Sequence, residues 1–331
     1  MAWQGGSTST SILAQESAEI ALREATEDDH PALLELEGSA PHTGAELLQA
    51  RADFFARTEA YPVAQVLVAE REGAVIGVEC IALTDVRVNG ISCTAGYSFN
   101  TRVQPGVQRR GLGSAMIRAG ERWAESQGAS YLTGFIKTTN TPSMKMVTAL
   151  GWETVARFDY LVLELARFDG ITAPRAVRFD LYQDPHLLGL RTAAVRAHHF
   201  VPLFLEKELF APAPEGSYAG SYTASTRHGT AWLSLWDDRV ARGLDPATFC
   251  AVKAFDLVLE GSQALSAFAG LAGVLRASGI RHLLLPLPAE SYARALLGPF
   301  AADLVEMNHV VKRLAGRPPV DPGPTYFDIR H

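Results

Sequence analysis

The chain has 331 residues, 47% of them hydrophobic and 20% charged, ordinary proportions for a globular protein with room for two domains. A formal net charge of −6 and a pI near 5.9 exclude the basic footprint of a nucleic-acid binder. The polar start Met1 to Thr10 has neither the basic nor the apolar region of a signal peptide, and no apolar run reaches membrane-spanning length, so a cytoplasmic protein without membrane contact is expected.

In chain order, residues 1–18 are rich in Ser, Thr and Gly and read as a disordered tail. Alternation from Ile20 to Ala25 predicts a strand, and Asp28 or Asp29 can cap a short helix from about Pro31 to Glu37. A second helix is expected from about Ala45 to Arg57. Gln65–Glu70 and Ala74–Val86 read as strands, and Asn89-Gly90 is the strongest short hairpin signal in the chain. It leads back through Ile91 to Val103. Apolar spacing at Leu112, Met116, Ala119 and Trp123 then predicts a helix over 112–127. Tyr131–Lys137 is a strand, Pro142 opens a helix that ends at Leu150-Gly151, and Trp152–Leu165 is a closing strand. Cys80, Cys93 and Cys250 are isolated and odd in number, which suits buried thiols and suggests neither a disulfide framework nor a metal site.

The strand–turn–helix from Ala95 to Trp123 carries the chemistry. Backbone N–H groups converge at the helix start, where the helix dipole also favours negative charge. Gly111 and Gly113 remove Cβ atoms that would hold a ligand away, and Arg109 and Arg110 add positive charge. This reads as a pyrophosphate cradle. Met116 stands where a dinucleotide fingerprint needs its third glycine, and no Gly-Lys-Ser/Thr of a P-loop is present. The plainer reading of the loop alone is an exposed helix start with two solvated arginines.

Gln108-Arg-Arg-Gly-Leu-Gly113 resembles the acyl-CoA loop of the GNAT acyltransferase superfamily, whose pattern is Gln/Arg-x-x-Gly-x-Gly/Ala. The order strand, two helices, three strands, helix, strand, helix, strand over residues 20–165 is similar to that family too, as is Asn140 to Ser143 followed by Leu150-Gly151-Trp152. The resemblance implies acyl-CoA as cosubstrate and no metal. It implies that Gln108, Arg109, Arg110, Gly111, Leu112, Gly113 and Ser114 bind the pyrophosphate. Asn140 would contact the pantetheine arm with help from Ser143, although a plain helix cap is the alternative for Asn140. A backbone N–H of Val103 or a close neighbour would polarise the thioester carbonyl. Many members carry a tyrosine acid four residues before the later glycine; here that position is Val147.

After a break at Asp169–Pro174 the pattern repeats weakly. Strands are expected at 176–182, 217–226, 230–237, 248–259, 280–286 and 303–314, with helical spacing over His186–Phe210, Ser262–Ser278 and Glu290–Leu297. This resembles a second, degenerate GNAT half. Its junction, Leu259-Glu-Gly-Ser-Gln-Ala-Leu265, lacks the arginine pair, and Glu260 would repel a phosphate. The expected fold is therefore α/β (α+β), two tandem GNAT folds, each with a mixed, largely antiparallel sheet. Residues 19–168 would bind acyl-CoA, and 175–331 would serve as acceptor platform or lid.

For a general base the candidates are Glu79, Tyr97 and, reaching across from the second half, His198 or His199, with Asn100 also on the central strand. Each has a plainer structural reading. The expected activity is N-acyl transfer to a primary amine of a small or medium-sized acceptor. The layout is similar to enzymes that acylate the aminosugar of glycopeptide antibiotics and to acetyltransferases of amino acids or aminosugar drugs. A non-catalytic acyl-CoA sensor is the competing class.

Overall fold

The computed structural model describes residues 20–39, 52–59, 61–179, 200–202, 218–240, 242–314 and 316–321. The first half runs β1 (Ala21–Glu24), α1 (His30–Gly38), α2 (Ala56–Glu59), β2 (Ala64–Arg71), β3 (Ala74–Val88), β4 (Ile91–Val103), α3 (Leu112–Ser126), β5 (Tyr131–Lys137), α4 (Thr141–Ala149) and β6 (Glu153–Glu164). Asn89 and Gly90 take φ of 50° and 83°, the paired left-handed geometry of a tight hairpin between β3 and β4. Of the helix expected over 45–57, residues 45–51 lie outside the described residues, and only Ala56 onward is helical.

The second half follows with β7 (Val177–Phe179), β8 (Phe200–Pro202), β9 (Tyr218–Ser225), β10 (Gly229–Trp236), β11 (Ala251–Gly261), α5 (Ala264–Ala277), β12 (His282–Pro288), α6 (Tyr292–Leu297) and β13 (Ala301–Arg313). One expectation fails here. Helical spacing covers His186–Phe210, yet Phe200–Pro202 is extended and pairs with Val86–Val88 of β3. Backbone pairing to an open strand end overrides local propensity there. The rest of that stretch lies outside the described residues.

All these strands join one sheet of thirteen strands, ordered β1-β2-β3-β4-β5-β13-β6-β12-β11-β10-β9-β7, with β8 paired to β3. The pairings β4–β5 and β11–β12 are parallel and the others antiparallel. The closing strands are exchanged between the halves. β13, last in sequence, lies between β5 and β6, matching Phe135 to His309 on one side and His309 to Ala156 on the other. β6 in turn pairs with β12 of the second half from Glu164 to Phe158. Neither half has a closed sheet without the other's last strand.

The repeat extends to fine geometry. Ala95–Tyr97 pairs in parallel with Tyr131–Thr133, and Ala251–Lys253 pairs in parallel with His282–Leu284. β4 carries a bulge with Asn100 at φ 56°, and β11 carries one with Asp256 at φ 53°. Tyr97 and Lys253 are thus equivalent positions. One sheet face of the first half buries Val78, Cys80, Ala82, Tyr97 and Phe99 against α1 and its neighbours. The other buries Ile81 and Leu132 beneath α3 and α4, with Ile117, Val147 and Trp152. Among the described residues, no helix is long and apolar enough to cross a membrane.

Candidate active site

β4 and β5 part after three paired residues. Tyr97↔Thr133 is the last match; a Cβ on Gly134 would still meet the Ser98 carbonyl oxygen at 3.1 Å. Beyond that point β4 is held by β3, to Val103↔Gly77, and β5 by β13, to Lys137↔Met307. The facing edges of 98–103 and 135–137 therefore bound a slot whose backbone groups have no strand partner across it.

The slot leads to the start of α3. Pro105–Val107 makes a tight helical turn, and Gln108 Nε2 donates to the Val103 carbonyl at 2.9 Å, folding the loop back on its strand. Arg109 and Gly111 both take left-handed backbone, at φ 63° and 84°. Gly111 is the N-cap of a helix from Leu112 to Ser126 and offers no side chain to cap it. The first N–H groups of α3, through Ser114, thus point to the loop without intrahelical partners. Arg109 and Arg110 are exposed beside them, while Val107, Leu112 and Met116 anchor the turn in a small core.

The two glycines differ in role. Nothing lies within 4 Å of a Cβ built on Gly111, so its backbone angle is what favours glycine. A Cβ on Gly113 would meet Met146 Sδ of α4 at 3.2 Å, so Gly113 lets the two helices approach. On the far side of the slot, Asn140 Oδ1 accepts from Ser143 N at 3.2 Å and caps α4. Val147 is buried among Ile81, Ile117 and Leu150.

The two faces of β4 carry different chemistry. On the face away from α3, Arg57 donates to Tyr97 Oη at 2.9 Å and to Asn100 Oδ1 at 3.3 Å, its guanidinium 4.9 Å from the Phe99 ring. Asn100 Nδ2 is buried there with no partner among the described residues. On the α3 face lies Glu79, fully buried, accepting from Ser98 Oγ at 2.6 Å and from Thr101 Oγ1. Among the candidate bases, Glu79 thus lies on the face opposite to Tyr97. It shares the parity of Ile81, not of Tyr97's neighbour Ala82, and a Cβ on Gly120 of α3 would lie 3.6 Å from its Cγ. Burial pushes its carboxyl up to about 7 against those two hydrogen bonds, with Glu121 adding to the rise. His198 and His199 lie outside the described residues.

Two groups missed in the sequence sit on the same sheet. His309 of β13 stacks on Phe135 at 4.6 Å and shares a 2.8 Å hydrogen bond with Thr133 Oγ1. Burial pushes its imidazole down to about 3, so it is neutral at working pH. Lys253, equivalent to Tyr97, pairs with Asp238 at 2.8 Å, and burial pushes its ammonium down to about 8. A lone histidine in a terminal strand carried no signal, because only strand exchange brings it beside β5.

The model of the acetyltransferase (GNAT) family matches residues 22–152. This stretch is a GNAT domain. The whole fold is similar to a tandem GNAT protein from the clavulanic acid biosynthesis pathway, at 15% identity and a TM-score of 0.58, covering 93% of this chain and 100% of that one. A GCN5-related N-acetyltransferase from Kribbella flavida, also 15% identical, gives a TM-score of 0.51 over 90% of this chain and 71% of that one. By sequence, 106 residues are 24% identical to an aminoglycoside N(6')-acetyltransferase type 1 of Klebsiella aerogenes, 32% of this chain and 70% of that protein.

The second half repeats the parted strands but not the open helix start. Twelve positions separate Asn100 from the start of α3 at Leu112, and eight separate Asp256 from the start of α5 at Ala264. The turn between β9 and β10 then closes over the helix start. Gln263 N donates to the His228 carbonyl at 3.2 Å, and a Cβ on Gly229 would lie 2.4 Å from Gln263 C. A backbone carbonyl stands where an anion would have to approach. The apolar residues Leu257, Leu259, Leu285, Leu287 and Leu297 belong to the core of this half.

Proposed function

We propose that the chain is an acyl-CoA-dependent N-acyltransferase acting on a primary amine of a small or medium-sized acceptor. The observation that carries this reading is continuity. A slot with unpaired backbone edges runs straight into an uncapped helix start flanked by Arg109 and Arg110. Residues 19–168 hold the donor: Gln108, Arg109, Arg110, Gly111, Leu112, Gly113 and Ser114 take the diphosphate, and Asn140 and Ser143 border the pantetheine arm. Asn140 caps its helix through Oδ1, which leaves its Nδ2 for that contact. A β4 backbone N–H, at Val103 or nearer the bulge, meets the thioester oxygen as negative charge develops.

The acceptor nitrogen approaches from the opposite face, where Arg57, Tyr97 and Asn100 of the first half stand. Residues 175–331 form the acceptor platform or lid. An aminosugar acceptor is supported by the Klebsiella relative's name, with the aminosugar of a glycopeptide as one form of it. An amino acid is the other class to test. Thiol release from acetyl-, hexanoyl- and decanoyl-CoA over a panel of aminosugars and amino acids tests the reading. Amine-dependent release supports it. CoA binding with no release over the whole panel would favour an acyl-CoA sensor, a reading that the buried, hydroxyl-free Val147 supports.

A further inference from the structure

Val147 leaves the departing thiolate without the acid that many GNAT relatives carry. The α3 face of the sheet offers another. Glu79, Ser98 and Thr101 form one hydrogen-bonded unit around the Asn100 bulge, with Glu79 opposite it between the pairs Val78↔Arg102 and Cys80↔Phe99. Glu79 is fully buried, while Ser98 and Thr101 are half-buried. Ser98 sits at the closed end of the slot, beside Gly134; Thr101 lies further on, along the open edge.

The second half is an internal control. Its bulge at Asp256 is built the same way, yet the positions of Glu79, Ser98 and Thr101 are taken by Leu233, Ala254 and Leu257. The bulge therefore needs no carboxyl beneath it. Burying an ionisable group is costly unless it is hydrogen-bonded, and Ser98 and Thr101 supply those bonds to Glu79. Among the described residues the polar triad occurs in the half that keeps the cradle and is apolar in the half that lost it.

We propose that Glu79 is the proton source for the departing CoA thiolate, acting through the Thr101 hydroxyl, with Ser98 holding the carboxyl in place. The inference rests on the donor site described above. As the C–S bond breaks, its electron pair goes to sulfur. While the carboxyl is protonated its O–H donates to Thr101 Oγ1, which frees the Thr101 hydroxyl proton for sulfur. Sulfur takes that proton, Thr101 Oγ1 takes the proton of the Glu79 carboxyl, and the resulting carboxylate, now accepting from Ser98 and Thr101, is reprotonated from solvent after the thiol leaves. The proton shed by the acceptor nitrogen goes to solvent. Burial keeps Glu79 protonated up to about pH 7. The charged groups facing this unit are Glu121 on α3 and, through it, Lys312 on β13 at 2.7 Å; Trp152 Nε1 donates to the other Glu121 oxygen at 2.8 Å.

Wild type, Glu79→Gln, Glu79→Leu, Thr101→Val and Thr101→Ser are compared by thiol release from pH 6 to 9 and by calorimetric titration of CoA. A general acid typically contributes about 10²-fold or more. Glu79→Gln and Thr101→Val are expected to lower kcat about 10²-fold while KM for the acyl-CoA and CoA affinity change less than about threefold. Thr101→Ser should retain most turnover. The fall of kcat above pH 7 should vanish in Glu79→Gln, and Glu79→Leu should fold as Leu233 does in its own half. Thr101→Val turning over within twofold of wild type, with the wild-type pH profile, overturns the relay even where a Glu79 variant fails to fold. Wild-type protein that does not bind CoA overturns the donor site itself, a separate outcome.

Discussion

Gly111 and His309 show how much one position can carry. Gly111 holds a left-handed angle in open space, so a side chain there costs about 1–2 kcal/mol of backbone strain and little else. Gly111→Asp is therefore expected to fold, with a melting temperature a few degrees lower, and to lose at least tenfold in CoA affinity by calorimetry as its carboxylate faces the diphosphate. His309 and Glu79 pull stability in opposite directions with pH. The His309 ring is held well below its unfolded value of about 6.5, so the unfolded chain binds the extra proton and stability falls as pH drops from 6.5 toward 3. Glu79 is held above its unfolded value, so its contribution is full below about 4.5 and is lost as pH rises through about 7. Melting curves of His309→Gln should lose the acid-side slope, and those of Glu79→Gln the slope between 4.5 and 7. A slope unchanged in either variant would contradict the assignment.

At the level of helices and strands, the sequence was most readable where local chemistry is decisive. Asn89-Gly90, the Pro142 helix start and the strand–turn–helix from Val103 to Gly113 are specified by backbone angles and chain direction, and those elements lie where their residues imply. Alternation in β3 separates Glu79 and Ile81 from Cys80 and Ala82, but parity alone does not say which face lies under α3. That needs to know where α3 packs. Nor does alternation name a strand's neighbour. Trp152–Leu165 reads as the closing strand of its own half, yet Tyr160 lies opposite Pro286 and Val305, both from the second half. The start of α5 gives a prediction at this scale. With His228 O against Gln263 N, calorimetry should find one CoA per chain, and a stoichiometry of two would contradict the closed second cradle.

Across the whole molecule, exchange of β6 and β13 makes the sheet indivisible. Without β13, β5 keeps only its three-residue match to β4, and β6 has nothing on that side. Fragments 20–168 and 175–331 made separately are therefore expected to lack cooperative unfolding transitions by circular dichroism, and to regain one when produced together. A cooperative transition in either fragment alone would show that the exchange contributes little to stability. The second half has no open start at α5, yet it supplies His309, Lys312 and the partner strand of β5.

The interleaved sheet also sets a timetable for biogenesis. Phe135 leaves the ribosome long before His309, its neighbour in the finished molecule, has been added to the chain. At about 5–20 residues per second, that gap is about nine to thirty-five seconds. Throughout that interval the edge of β5 that β13 will cover is open to premature pairing with another nascent copy. Synthesis rate and chaperone supply, more than final stability, should govern how much active protein a cell obtains.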